Sequence, residues 1–215
     1  MPQSARAASA ASPPNILSSD AAFDSVYDGR IRELSRQHWT PVPVALRAAQ
    51  LLTRAGATRI LDVGSGVGKF CIVGALSTSD AEFVGVERRG SLVEIARHAA
   101  LKFGAGRARF VHADVESFPF EGFDGVYLYN PFYEQVGRDI VQIDAEVELS
   151  VLTYRRLVRS TLTKLGVMKP PVAVVTFNGV GAPLPPEYDL RGDEPAGTDY
   201  LELWVRRRSR GPRFA

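Results

Sequence analysis

Cysteine occurs once in this chain of 215 residues, at Cys71. No internal disulfide is possible. With only three histidines, scattered at His38, His98 and His112, no cluster with metal-ligand spacing is visible. Cys71 falls on an apolar stretch and reads as a small buried hydrophobe. Long hydrophobic runs are missing too, and none approaches the ~20 residues needed to span a bilayer. Neither sign of charge dominates, since 26 Lys+Arg face 24 Asp+Glu for a net charge of +2. That balance supplies no general field for holding a polyanion. Internal repeats are absent. What remains is 45% hydrophobic and 23% charged, an ordinary soluble globular composition. The length suits one α/β domain with a full core.

The two ends differ from the body. MPQSARAASAASPPN at the start has one arginine and no apolar core. It does not read as a secretory signal, and residues 1–20 are expected to form a disordered tail. Cytoplasm is the expected compartment. Residues 208–215 read as a basic tail. Phosphate-gripping by Arg206, Arg207, Arg208, Arg210 and Arg213 is the alternative to a solvated role. The folded domain is expected over 21–207.

The most informative stretch is ILDVGSGVGKF, Ile60 to Phe70. An apolar run (Ile60, Leu61, Val63) reads as a buried parallel strand. Glycines follow at alternate positions, Gly64, Gly66 and Gly68, and then a second apolar run to Leu76. Strand, glycine turn, helix is the entry to a nucleotide-type site in an open α/β sheet. Glycine is expected there to let a ligand approach the backbone. A dinucleotide turn wants its last glycine three residues after Gly66, where this chain has Lys69. Asp62 suits a ligand with a positive amino group better than a pyrophosphate. A second strand, EFVGVE, ends in Glu87, placed to accept from a ribose hydroxyl pair. FVHADVESF follows, with Asp114 just past its strand.

Asp62-Val63-Gly64-Ser65-Gly66-Val67-Gly68, Glu87 and Asp114 together resemble the first three motifs of class I S-adenosylmethionine-dependent methyltransferases. Tyr129-Asn130-Pro131-Phe132-Tyr133 is similar to the fourth. The likeness runs from about Thr40 to Leu203 in order and spacing. HWTPVPVALRAA, VELS and GAPLPP also resemble uncharacterised bacterial members of the superfamily. The resemblance implies S-adenosylmethionine as cofactor. Asp62 would face its amino group, Glu87 its ribose and Asp114 its adenine amino group, with Val115 donating its backbone amide. Ser65 belongs to the same turn. Asn130 and Tyr133 would meet the methyl acceptor beside the cofactor. In amino-methyltransferases the similar turn holds a planar amine through the side-chain oxygen and the first proline's carbonyl. Here Phe132 replaces the second proline, which leaves the substrate class open. His38, Trp39 and Thr40 lie where related enzymes fold a lid over the cofactor.

Periodicity predicts helices over Ala22–Gln37, Val42–Ala55, Val67–Leu76, Leu92–Phe103 and Val151–Gly166. In the last, Leu152, Leu157, Leu162 and Leu165 are assigned to the inner side. Strands are predicted at Arg59–Val63, Glu82–Glu87, Ala108–His112, Gly125–Tyr129, Val172–Phe177, Tyr188–Arg191 and Leu201–Arg207. Gly137 to Glu148 gives no clear pattern. The sheet should be mostly parallel with helices on both faces. The resemblance adds seven strands in a single Rossmann-like domain, the last antiparallel. The leading functional expectation is a methyltransferase acting on an unidentified acceptor, a small molecule first. A protein lysine is the second expectation, from a loose likeness to non-SET histone-lysine methyltransferases. Nucleic acid is the third. The non-enzyme alternative is a module that keeps the cofactor site and has lost catalysis. No membrane partner is expected.

Overall fold

A computed structural model describes residues 15–197 and 199–207. The sheet is built from β1 (Arg59–Val63), β2 (Glu82–Glu87), β3 (Ala108–His112), β4 (Gly125–Tyr129), β5 (Ala173–Phe177), β6 (Tyr188–Ala196) and β7 (Asp199–Arg206). Their order is β3-β2-β1-β4-β5-β7-β6. All neighbours from β3 to β5 pair parallel, and β7 runs antiparallel to both β5 and β6. The expected seven-stranded, mostly parallel Rossmann-like sheet is what forms, with its last strand antiparallel. The order reverses between β1 and β4, where ligands of such sheets sit.

Alternate strand residues feed two cores. Ile60, Phe83, Tyr127 and Val175 pack on one face, against helices α3 (Val42–Arg54), α4 (Lys69–Ser77) and α5 (Gly90–Phe103). Leu61, Val84, Val126 and Val174 pack on the other, under α6 (Val151–Val167) and the loop bearing Val115, Phe120 and Phe123. Every residue of α4 from Lys69 to Ala75 is buried. A helix covered all round needs no polar face, which is why it shows no clean amphipathic stripe.

Several boundaries shift. The helix expected over Ala22–Gln37 is two, α1 (Asp20–Asp24) and α2 (Gly29–His38). Asp28 makes the break, because its carboxylate caps α2 by accepting from Ile31 N at 2.9 Å. Residues 15–20, expected in the tail, belong to the described fold: Ser19 caps α1 and Asp20 accepts from Val42 N at 2.8 Å. Leu157 and Leu165 are buried and Leu162 packs partly buried against the same core, but Leu152 is 76% exposed. It sits in the first turn of α6, short of the sheet. β6 is longer than expected and carries Pro195, tolerated because it is an edge strand. Arg206 donates to the carbonyls of Leu165, Gly166 and Met168 at the end of α6. It is thus a helix-end partner and not part of a free basic tail. Arg208, Arg210 and Arg213 lie outside the described residues, as does most of the N-terminal tail. No helix is long and apolar enough to cross a membrane, among the described residues.

Candidate active site

The glycine turn leaves β1 and is fastened to β2. Gly64 N and Ser65 N both donate to Val86 O, at 2.9 and 3.1 Å. Glu87, at the end of β2, turns back onto it: Oε2 accepts from Gly66 N at 3.0 Å and Oε1 from Arg89 N at 2.8 Å. Gly64, Gly66 and Gly68 all have positive φ (73°, 52° and 78°), a conformation only glycine adopts freely. Their missing side chains matter for packing within the protein. A Cβ on Gly66 would lie 2.6 Å from the Trp39 ring, and one on Gly68 would lie 2.4 Å from Phe110. The turn is therefore glycine-rich to pack against its own protein. Gly64 and Gly66 also line the cavity above the turn. Gly85 on β2, passed over in the sequence, has the same role for Ser65, whose Oγ a Cβ there would meet at 2.5 Å.

Above the turn is a cavity of about 490 Å³, a normal size for a small-molecule site. Thr40, Asp62, Gly64, Ser65, Gly66 and Glu87 line it, together with Asn130 and Tyr133. Asp114 and Val115 line a second cavity of about 70 Å³, with Glu87 at its edge. Gly68 lines neither. Thr40 is buried, and its hydroxyl sits 3.2 Å from that of Tyr127. Trp39 is held by Nε1 donating to Ile31 O at 2.9 Å. Asp114 accepts from Glu116 N at 2.9 Å and stands 4.0 Å from Arg88 Nε.

Burial dominates the electrostatics. It pushes the Asp62 carboxyl up to about 7, against the Cys71 thiol, which donates to it at 3.5 Å; the Glu87 charge pushes the same way as burial. Burial also raises Glu87, opposed by the amides and charge around Arg89. The His38 imidazole is lowered by burial. Val141 O, which accepts its Nε2 proton at 2.7 Å, opposes that shift.

The turn after β4 stands beside the turn after β1, with the Pro131 side chain against Gly64. Asn130 has φ 34°, and its backbone N donates to Gly179 O at 3.1 Å. Its side-chain Oδ1 is buried without a hydrogen-bond partner. Asn178, on the neighbouring strand end, has φ 58° and also lines the cavity. Tyr129 pairs with Phe177 in register, so the two asparagines follow equivalent positions. Sequence reasoning missed Asn178. The available signal was Asn-Gly after a buried strand, which alone reads only as a turn. It also missed that Lys69 is 2% exposed and bonded to Asp20 at 2.6 Å and Asp24 at 2.8 Å.

A family profile described as a methyltransferase domain matches residues 55–167, just over half of the chain. The fold is thus the class I, Rossmann-like one. The chain belongs to the methyltransferase-domain family. No curated protein matches it. Among solved structures it is similar to an RNA methyltransferase from Salinibacter ruber in complex with S-adenosyl-L-homocysteine. That likeness has 23% identity and a TM-score of 0.54, over 81% of this chain and 96% of that one. TrmN from Thermus thermophilus is 22% identical with a TM-score of 0.50, over 80% of this chain and 55% of that one. The mitomycin 7-O-methyltransferase MmcR is 15% identical with a TM-score of 0.52, over 76% and 54%. The chain spans about half the length of the last two. At these identities the likeness shows the fold alone, and the names differ in acceptor.

Proposed function

We propose that the larger cavity binds S-adenosylmethionine on Glu87 and Asp62 and passes its methyl group to a small acceptor beside Asn130. The donor and acceptor set fits the cofactor. Glu87 keeps a free lone pair on each oxygen for ribose hydroxyls, after serving Gly66 N and Arg89 N. Asp62 is a buried carboxyl facing the same space, suited to an amino group. Asp114 and Val115 lie beyond Glu87, toward where an adenine would extend. When bound, the cofactor supplies a methyl group already activated by its positive sulfur. The chain's own residues then position the acceptor and exclude water. Asn130 Oδ1 would accept a hydrogen from the acceptor, and Tyr133 would bound it at the rim. An amide takes no proton at neutral pH, so Asn130 is a positioner rather than a base.

The observation that carries the acceptor reading is the buried, unpartnered Asn130 Oδ1 on the cavity wall. A group left unsatisfied in the free protein costs about 1–3 kcal/mol, which a bound hydrogen donor would recover. The cavity charges favour a small acceptor over nucleic acid. Its two cations, Lys69 and Arg89, are each already ion-paired with two carboxylates. Asp62, Glu87 and Asp139 add negative charge to the same lining. A phosphate would find no unpaired cation among these residues. Protein lysine and nucleic acid remain the second and third acceptors. The test is transfer of tritiated methyl from S-adenosylmethionine to small-molecule, protein and RNA fractions of a cell extract. Label in the small-molecule fraction is the expected result. Label confined to RNA would overturn the acceptor reading, and tight cofactor binding with no product would favour a non-catalytic module.

A further inference from the structure

Two arginines follow Glu87, and only one of them is solvated. Arg88 has a side chain 44% exposed, whereas that of Arg89 is 8% exposed. Arg89 Nη2 lies 2.8 Å from Glu134 Oε2, and Arg89 Nε lies 3.1 Å from Asp144. Glu134 Oε1 in turn accepts from Ile143 N at 2.8 Å. Helix α2 grips the same stretch from the other side. Arg30 Nη2 donates to Ile143 O at 2.7 Å, and Gln37 accepts from Val141 N at 2.9 Å. Between Val136 and Ser150 there is no helix or strand. This strap is held in place by side chains from elsewhere, and Ile140 and Ile143 form a wall of the larger cavity.

The position of the ion pair is informative. Gly64, Glu87, Arg89, Pro131 and Glu134 line both cavities. The Arg89–Glu134 pair thus stands at their junction. The smaller cavity, about 70 Å³, carries Asp114 and Val115 on its wall. A ligand with its ribose on Glu87 and its base at Asp114 would lie across that junction. Buried ion pairs add little net stability against the cost of desolvation, but they hold one geometry. Such a bond suits an element that must open and re-form.

We propose that Arg89 is a positioning residue that latches the strap from Glu134 to Val147 across the cofactor site. The latch releases to admit the adenosine end and re-forms over it. The acceptor wall is then complete only once the cofactor is bound. This rests on the cofactor placement proposed above. Trp39 lies over Gly66, so its fluorescence reports binding in a Trp204→Phe background. Stopped-flow mixing of the full chain with S-adenosylhomocysteine should give a rate that reaches a plateau with concentration. Glu134→Gln with Asp144→Asn should raise that plateau about tenfold. Hydrogen exchange at residues 140–147 should slow when S-adenosylhomocysteine is added to the wild type. A rate linear in ligand and unchanged in the variant, or exchange at 140–147 indifferent to ligand, would overturn the latch alone. Absence of S-adenosylhomocysteine binding would overturn the cofactor placement with it. If the double variant does not fold, the wild-type plateau and exchange decide the matter.

Discussion

Asp62 is a cavity carboxyl displaced far from its ordinary range. Burial holds its carboxyl up to about 7 in the free protein. A bound ammonium group favours the carboxylate, so binding should drive a proton off. The sign follows directly: below about 7 the free site is protonated and binding must expel that proton. Affinity for S-adenosylmethionine should therefore rise with pH through neutrality and level off above it. Calorimetry at pH 6.5 in buffers of different ionisation enthalpy should show proton release, and Asp62→Asn should abolish it. Proton uptake in the wild type would place the amino group elsewhere. For Asn130 the left-handed φ of 34° decides which variant to make. Asn130→Ala would strain the turn, whereas Asn130→Gly removes the carboxamide without strain. Asn130→Gly should keep cofactor affinity and lower methyl transfer by roughly tenfold to a thousandfold, with kcat and kcat/KM falling together. Wild-type turnover would remove this turn from the mechanism.

At the scale of elements, Lys69 fastens the N-terminal helices to the glycine turn. Its ammonium joins Asp20 and Asp24, and Ser35 of α2 donates to Asp24 at 2.5 Å. Lys69→Met would leave Asp24, which is 4% exposed, as a buried charge without its cation. Breaking one partner of such a pair costs about 3–5 kcal/mol. The expected result is a lower Tm and faster proteolysis between residues 20 and 40, measured by calorimetry and limited digestion. An unchanged digestion pattern would show that these helices dock without Lys69. The strands were the most legible elements. Their apolar runs between glycine and charged residues placed β1 to β4 with the observed ends. The α1–α2 break was not legible, because Asp28 serves as a cap in a pattern whose apolar spacing continues across it. The strap was illegible for a related reason: its hydrogen bonds go to distant side chains, and no local period records them.

For the whole molecule, the strand order puts two turns side by side that are ~65 residues apart in sequence, and the site lies between them. The sequence motifs located Asp62, Glu87 and Asn130 by their strand ends, since a strand end is a position in the sheet as well as in the chain. Arg89, Lys69 and Asn178 were not found that way. Their roles depend on which carboxylates or turns the fold brings to them, and spacing carries no trace of it. The balanced charge of the chain says nothing of pairing inside the cavity, and only the fold shows that Lys69 and Arg89 are both engaged. The central claim, that Glu87 and the glycine turn form the cofactor site, is tested most directly by calorimetric titration of S-adenosylhomocysteine and NAD. The account predicts one S-adenosylhomocysteine per chain and no NAD. In Glu87→Ala, S-adenosylhomocysteine affinity should fall about tenfold to a hundredfold, the equivalent of ~1–3 kcal/mol for an acceptor removed from a buried site. NAD binding, or unchanged S-adenosylhomocysteine affinity in the folded Glu87 variant, would contradict it.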